Sequence, residues 1–73
     1  MNIIELLKKI ENKEIKSGAI FHGGDLLYNL IVIDKKLYII NEIAKDLQLL
    51  DSKIIGNFIV KNYKLYEYKK VID

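Results

Sequence analysis

Ala19-Ile20-Phe21-His22-Gly23-Gly24-Asp25-Leu26-Leu27-Tyr28-Asn29-Leu30-Ile31-Val32-Ile33-Asp34-Lys35-Lys36-Leu37-Tyr38-Ile39-Ile40 decides how this chain folds. Its apolar residues come in short runs separated by turn residues, the pattern of strands rather than helices. Ala19 to His22 reads as a short first strand. Gly23-Gly24 is a two-residue hairpin signal, because glycine accepts positive φ without steric cost. Leu26 to Ile33 reads as a long central strand. Asp34-Lys35-Lys36 is a polar turn without the asparagine or glycine that usually marks one, and Leu37 to Ile40 returns antiparallel. The expected centre of the fold is a three-strand meander.

Upstream the period changes. Asn2 can cap a helix, and Glu5, three residues on, completes a capping box in which each side chain takes up a free backbone amide. Ile3, Leu6, Leu7 and Ile10 follow at helical spacing, with Lys8, Lys9 and Glu11 on the other side. Polar residues from Asn12 to Ser17 stop the helix near Asn12. Downstream, Asn41 to Leu50 reads two ways. Ile43, Leu47 and Leu50 at i, i+4 and i+7 with Asn41 as cap fit a short second helix; a strand extension followed by a loop is the alternative. Ile54 to Val60 returns to β, bent at Gly56-Asn57. Lys61-Asn62 turns the chain into a last strand, Lys64 to Ile72. The expected architecture is α+β: one compact domain over residues 1–73, with an N-terminal helix packed on an antiparallel sheet of about four or five strands. Ile3, Leu7, Ile10, Phe21, Leu30, Val32, Ile39, Phe58 and Val60 are the expected core.

Composition narrows the function more by exclusion than by direction. A chain of 73 residues has one core and little margin of stability. Cysteine is absent, which removes disulfides and thiolate metal sites. The hydrophobic fraction is 51%, more than so small a core readily hides. A monomer and a homo-oligomer, most simply a dimer, are equally open. All 12 basic residues are lysines. Without arginine's planar fork, sequence-specific reading of DNA is disfavoured. The apolar runs Leu30–Ile33 and Leu37–Ile40 are far below the roughly 20 residues of a membrane span. Glu5, Lys8 and Lys9 break up the N-terminal segment, unlike a signal peptide. A soluble protein of a bacterial cytoplasm is expected.

No catalytic constellation stands out, so no catalytic, metal-binding or cofactor-binding residue and no cofactor is expected. His22 and Asp25 flank Gly23-Gly24, but two potential ligands fall short of the three or four that a metal requires. Ser17 and Ser52 lie in expected loops, outside any nucleophile elbow. Phosphate-cradling glycine motifs are absent. The most suggestive surface is the last strand, where alternation puts Lys64, Tyr66, Tyr68 and Lys70 on one face and Tyr63, Leu65, Glu67, Lys69 and Val71 on the other. Exposed tyrosines give large contact area at low entropic cost. Framed by lysines they suit a protein interface, or stack bases and hold phosphates. The plain alternative is an edge strand whose lysines discourage unwanted pairing.

The opening stretch Ile4-Glu5-Leu6-Leu7-Lys8-Lys9-Ile10-Glu11-Asn12-Lys13-Glu14-Ile15-Lys16-Ser17-Gly18 resembles the start of small accessory proteins of phages and prophages from low-GC Gram-positive bacteria. Those begin with a Glu-Leu-Leu helix followed by Gly-Glu-Ile-Lys-x-Gly-Thr-x-Phe. Here Asn12-Lys13 stands where a glycine is usual, and Ala19 replaces the threonine. The resemblance covers the first third of the chain and carries over no catalytic residue. It implies a role by binding. The expected function is a non-catalytic protein that binds a host protein, for example a defence-system component, and inhibits it by steric occlusion. The alternatives are a nucleotide sponge or nucleic-acid binder using the same tyrosines and lysines, and a structural assembly subunit.

Overall fold

In the computed structural model, which describes residues 1–24, 27–59 and 61–69, one helix packs on a five-stranded antiparallel sheet. The elements run α1 (Ile3–Glu11), β1 (Ala19–His22), β2 (Tyr28–Ile33), β3 (Lys36–Asn41), β4 (Leu47–Leu49), a single 3₁₀ turn (Ile55–Asn57) and β5 (Lys64–Tyr68). In space the strands are ordered β4-β3-β2-β1-β5. The first four form a continuous meander, and the last strand returns to lie beside the first. The α+β fold read from the sequence is the observed one.

Helix α1 starts as its capping box dictates. The Glu5 amide donates to Asn2 Oδ1 at 2.9 Å, and the Asn2 amide donates to Glu5 Oε1 at 3.3 Å. It ends in a paired closure around Asn12. The Lys13 amide donates to the Ile10 carbonyl and the Glu14 amide to the Lys9 carbonyl, with Lys13 in the left-handed region at φ 63°. Those are the two hydrogen bonds of a Schellman motif, with lysine in the position glycine usually takes. The buried stripe is Ile3, Leu6 and Ile10; Leu7 is 42% exposed and does not join the core.

The β2–β3 ladder is regular over six residue pairs, from Tyr28 opposite Asn41 to Ile33 opposite Lys36. Its turn is the two-residue Asp34-Lys35, at φ 48° and 64°. Both values are positive, as the right-handed twist of a hairpin favours. The β1–β2 connection is longer than Gly23-Gly24 alone, because β2 begins only at Tyr28. Gly24 has φ 90°, but Gly23 is needed for another reason: a Cβ there would come within 2.5 Å of the Tyr63 ring.

One segment that the sequence left open is settled, and another differs from expectation. Residues 41–50, for which a short helix and a strand with a loop were both open, are not helical. They form a turn at 42–44 and then β4, whose Leu47, Gln48 and Leu49 lie opposite Ile40, Ile39 and Tyr38. Between β4 and β5 the chain makes the 3₁₀ turn at Ile55–Asn57 rather than a bent strand. Asp25, Val60 and the expected strand extension through Lys70 to Ile72 lie outside the described residues.

The sheet's two faces carry separate apolar clusters. Toward α1, Ala19, Phe21, Leu30, Val32, Leu37 and Ile39 pack with Ile3, Leu6, Ile10 and Tyr63, and Phe58 lies partly buried at the margin. On the opposite face Ile20, Ile31 and Ile40 form a second, smaller cluster flanked by Ile33 and Tyr38. We call this the open face, since both described helical segments belong to the first side.

Candidate functional site

The open face carries a polar strip at the end of the sheet where β1 runs into the Gly23-Gly24 loop. The β1–β2 register, Phe21 opposite Leu30, brings His22 alongside Asn29. His22 Nδ1 lies 2.8 Å from Asn29 Oδ1, and Asn29 Nδ2 donates to Glu42 Oε1 at 3.1 Å. Glu42 in turn faces the Lys45 ammonium at 3.6 Å. The Glu42 carboxylate can only accept, so the Asn29 amide nitrogen must face it and the Asn29 carbonyl must face His22. His22 Nδ1 therefore donates to Asn29, and in the neutral ring this is the tautomer that leaves Nε2 as a lone-pair acceptor. Asn29 is only 7% exposed and has a partner on each side.

An imidazole oriented in this way by a buried amide has the geometry of a general base or a metal ligand. Its surroundings do not complete either site. Among the described residues, no group of three histidine, aspartate or glutamate side chains could hold a metal ion. Ser17 sits in a turn where its hydroxyl accepts from the Asp34 amide at 2.8 Å, and Ser52 lies in the turn that follows Asp51. Neither hydroxyl is on the strands that carry His22. The strip satisfies a buried asparagine and fixes the orientation of an exposed histidine next to β5.

β5 is an edge strand, and all five of its residues are exposed. Its pairing with β1 is irregular: His22 lies opposite Lys64, Phe21 opposite Leu65, Ile20 opposite Glu67 and Ala19 opposite Tyr68. Tyr66 is the extra residue of a bulge. Opposed residues in an antiparallel ladder share a face, so the bulge breaks the alternation expected for this strand. Lys64 lies on the open face with His22. Tyr66 sits beside it, 65% exposed, with its ring centroid 6.1 Å from the His22 ring. Tyr68, 57% exposed, lies opposite Ala19 and shares the helix-side face. The structure thus brings Lys64 and Tyr66 together, separates Tyr68 from them by the thickness of the sheet, and does not describe Lys70.

Sequence reasoning missed Asn29 and Glu42. The available signal was a lone polar residue inside the apolar run Tyr28–Ile33, at a position whose neighbours on the same face, Ile31 and Ile33, are apolar.

A second concave feature lies between the end of α1 and the β2–β3 turn. A hollow of about 300 Å³ is lined by Ile10 and Ile15 below and by Lys13, Lys16, Lys35, Ser17 and Asp34 around the rim. Three residues with left-handed backbone, Lys13, Asp34 and Lys35, border it.

No family model, curated protein or solved structure matches the chain. Among the described residues no helix is long and apolar enough to cross a membrane. The site's own chemistry is the ground for a functional reading.

Proposed function

We propose that this is a non-catalytic accessory protein of phage type that binds a host protein and inhibits it by steric occlusion. The observation that carries this reading is β5: an edge strand with Leu65, Tyr66 and Tyr68 all more than half exposed, held beside β1, which is buried from Ala19 to Phe21. Large aromatic side chains left in water on a rigid strand are the usual anchors of a protein interface. Lys64 adds a cation beside Tyr66, and Lys70 is the fourth candidate contact from the sequence. The bulge at Tyr66 and the charges of Lys64 and Glu67 make β5 a poor template for adding another strand. Recognition here works through side chains, with the partner gripping the edge from both faces.

The test is affinity capture from a Gram-positive host lysate treated with nuclease, comparing the wild-type chain with a Tyr66→Ala/Tyr68→Ala variant. Both tyrosines are exposed, so the variant's thermal unfolding should match the wild type. The reading requires one protein that the wild type retains and the variant loses. Equal retention by both sinks it.

A specific observation favours one other reading, a nucleotide-binding protein. It is the hollow beside α1, where three lysines surround an apolar floor large enough for a small planar group. On that reading the protein purified from cells carries absorbance at 260 nm beyond its tyrosines. A Lys16→Ala/Lys35→Ala variant then loses that absorbance while keeping the wild-type fold by circular dichroism.

A further inference from the structure

The hollow beside the end of α1 gathers the molecule's excess charge at one place. Lys13, Lys16 and Lys35 stand on its rim with Asp34, so three ammonium groups against one carboxylate leave a surplus of +2. The whole chain carries a formal charge of +2. Among the described residues, no hydrogen bond or ion pair engages any of the three ammonium groups. Like charges around one concavity repel each other, and an anion in their midst relieves that repulsion.

Two of these lysines stand where the backbone disfavours them. Among the described residues, four that are not glycine have positive φ, and Lys13, Asp34 and Lys35 are three of the four. Glycine would make both the closure of α1 and the second position of the β2–β3 turn at lower conformational cost. Residues held in sparsely populated backbone conformations gather at functional sites, where the side chain's task outweighs the strain. Here the side chains so retained are cations on the rim of one hollow. Ser17 adds a neutral donor. Its oxygen accepts from the Asp34 amide at 2.8 Å, which fixes it at the rim, and its own hydrogen has no acceptor among the described residues. Beneath them Ile10 belongs to the core and Ile15 packs partly buried against it, so the floor is apolar.

Building on the nucleotide reading, we propose that this hollow binds a nucleoside monophosphate, with its phosphate among the three lysines and Ser17 and the flat face of its base on Ile10 and Ile15. Charge selects the phosphate. A phosphate monoester carries about −1.5 to −2 near neutral pH, which matches the surplus, whereas a carboxylate falls short of it and a diphosphate exceeds it. Lysine meets the phosphate as a point charge, with no need of arginine's bidentate fork. Volume selects the size: about 300 Å³ lies at the lower end of small-molecule sites. The apolar floor selects a ligand with a flat face over free phosphate.

Calorimetric titration of the purified chain tests this, with adenosine 5′-monophosphate, adenosine, inorganic phosphate and adenosine 5′-diphosphate as probes. The monophosphate should bind about tenfold more tightly than adenosine or phosphate, and more weakly as salt rises. Its nitrogen-15 amide shifts should centre on residues 13–17 and 34–35. Lys13→Gly and Lys35→Gly should each weaken binding about three- to fivefold while raising the urea midpoint, a pairing that a purely structural role for these lysines would not give. Asp34→Asn keeps a residue type suited to left-handed backbone and removes the rim's carboxylate, so it should tighten the diphosphate more than the monophosphate. A wild type that binds neither nucleotide at millimolar concentration overturns the proposal and the nucleotide reading together. A diphosphate bound more tightly than the monophosphate overturns the proposal and leaves the nucleotide reading standing. Monophosphate binding that both lysine variants leave unchanged overturns the site. A 5′-phosphorylated dinucleotide separates a free ligand from the end of a strand, and binding tighter than the mononucleotide overturns the free ligand.

Discussion

Lys13 and Lys35 hold φ angles of 63° and 64°, a conformation that costs a side chain with a Cβ about 1 kcal/mol or more. Each sits where local geometry demands that turn of the backbone: Lys13 at the helix closure, Lys35 in the hairpin. Neither was legible as a left-handed residue, since the sequence signal for such positions is glycine or asparagine, and lysine hides it. Lys13→Gly and Lys35→Gly should therefore each stabilise the fold by about 0.5 kcal/mol, after allowing for the greater freedom of glycine in the unfolded chain. Urea unfolding midpoints at unchanged slope are the measurement. Gly18 shows the converse, where the residue type is obligatory. Its φ is 98°, and a Cβ there would collide with the Lys69 carbonyl, so the Gly18–Lys69 backbone pairing beyond the end of β5 depends on that missing side chain.

Helix α1 and the meander were readable because their signals are local and redundant. A capping box, an apolar stripe and a polar stop agree on α1, and three apolar runs between turns agree on β1 to β3. The choice between Leu6 and Leu7 was not readable. Apolar residues at 3, 4, 6, 7 and 10 permit two stripes, and only packing against the sheet selects Ile3, Leu6 and Ile10. The segment after β3 shows why a good local reading can stop short. Asn41 Oδ1 accepts from the Ile43 and Ala44 amides, as a helix cap would, and the Lys45 amide bonds back to the Asn41 carbonyl at 2.7 Å. A single turn closed by that hydrogen bond forms. It ends at Lys45, where φ is 61°, because the free edge of β3 offers Leu47 to Leu49 a ladder that a second helical turn does not. The polar strip belongs to this scale too, since it ties β1, β2 and the end of β3 through one side chain. Asn29→Ala leaves the His22 Nδ1–H and the Glu42 carboxylate without their buried partner and should cost about 1–3 kcal/mol. Nitrogen-15 spectra of the imidazole should show His22 passing from a single Nδ1–H tautomer to a mixture. An unchanged tautomer would mean that Asn29 does not orient the ring.

Across the whole molecule, what fastens the last third of the chain to the rest is Tyr63, a residue the sequence reading placed on the face of β5 away from the site. It was not among the expected core residues, and the weight it carries was not legible, because its partners are distant in sequence. It is 3% exposed, and its ring packs against Gly23 within the helix-side core. Its hydroxyl lies 3.5 Å from the Phe58 carbonyl, and its backbone exchanges hydrogen bonds with Met1 at 2.6 and 2.8 Å. The residue before the α1 cap, the β1–β2 loop, the 3₁₀ segment and β5 thus meet at one residue, through its backbone and its ring together. Tyr63→Ala opens a cavity of most of an aromatic ring and should cost about 3–5 kcal/mol, against a total of about 5–15 kcal/mol for an ordinary domain and less for one this small. Tyr63→Phe keeps the ring and gives up one long hydrogen bond, so it should cost less than about 1 kcal/mol. The contrast separates two ways of losing partner binding. Tyr63→Ala should lose binding together with stability and with hydrogen-exchange protection in β5. Tyr66→Ala/Tyr68→Ala should lose binding while keeping both. If Tyr63→Ala unfolds no more easily than Tyr63→Phe, the ring is not the fastening, and β5 must be held by its ladder with β1 alone.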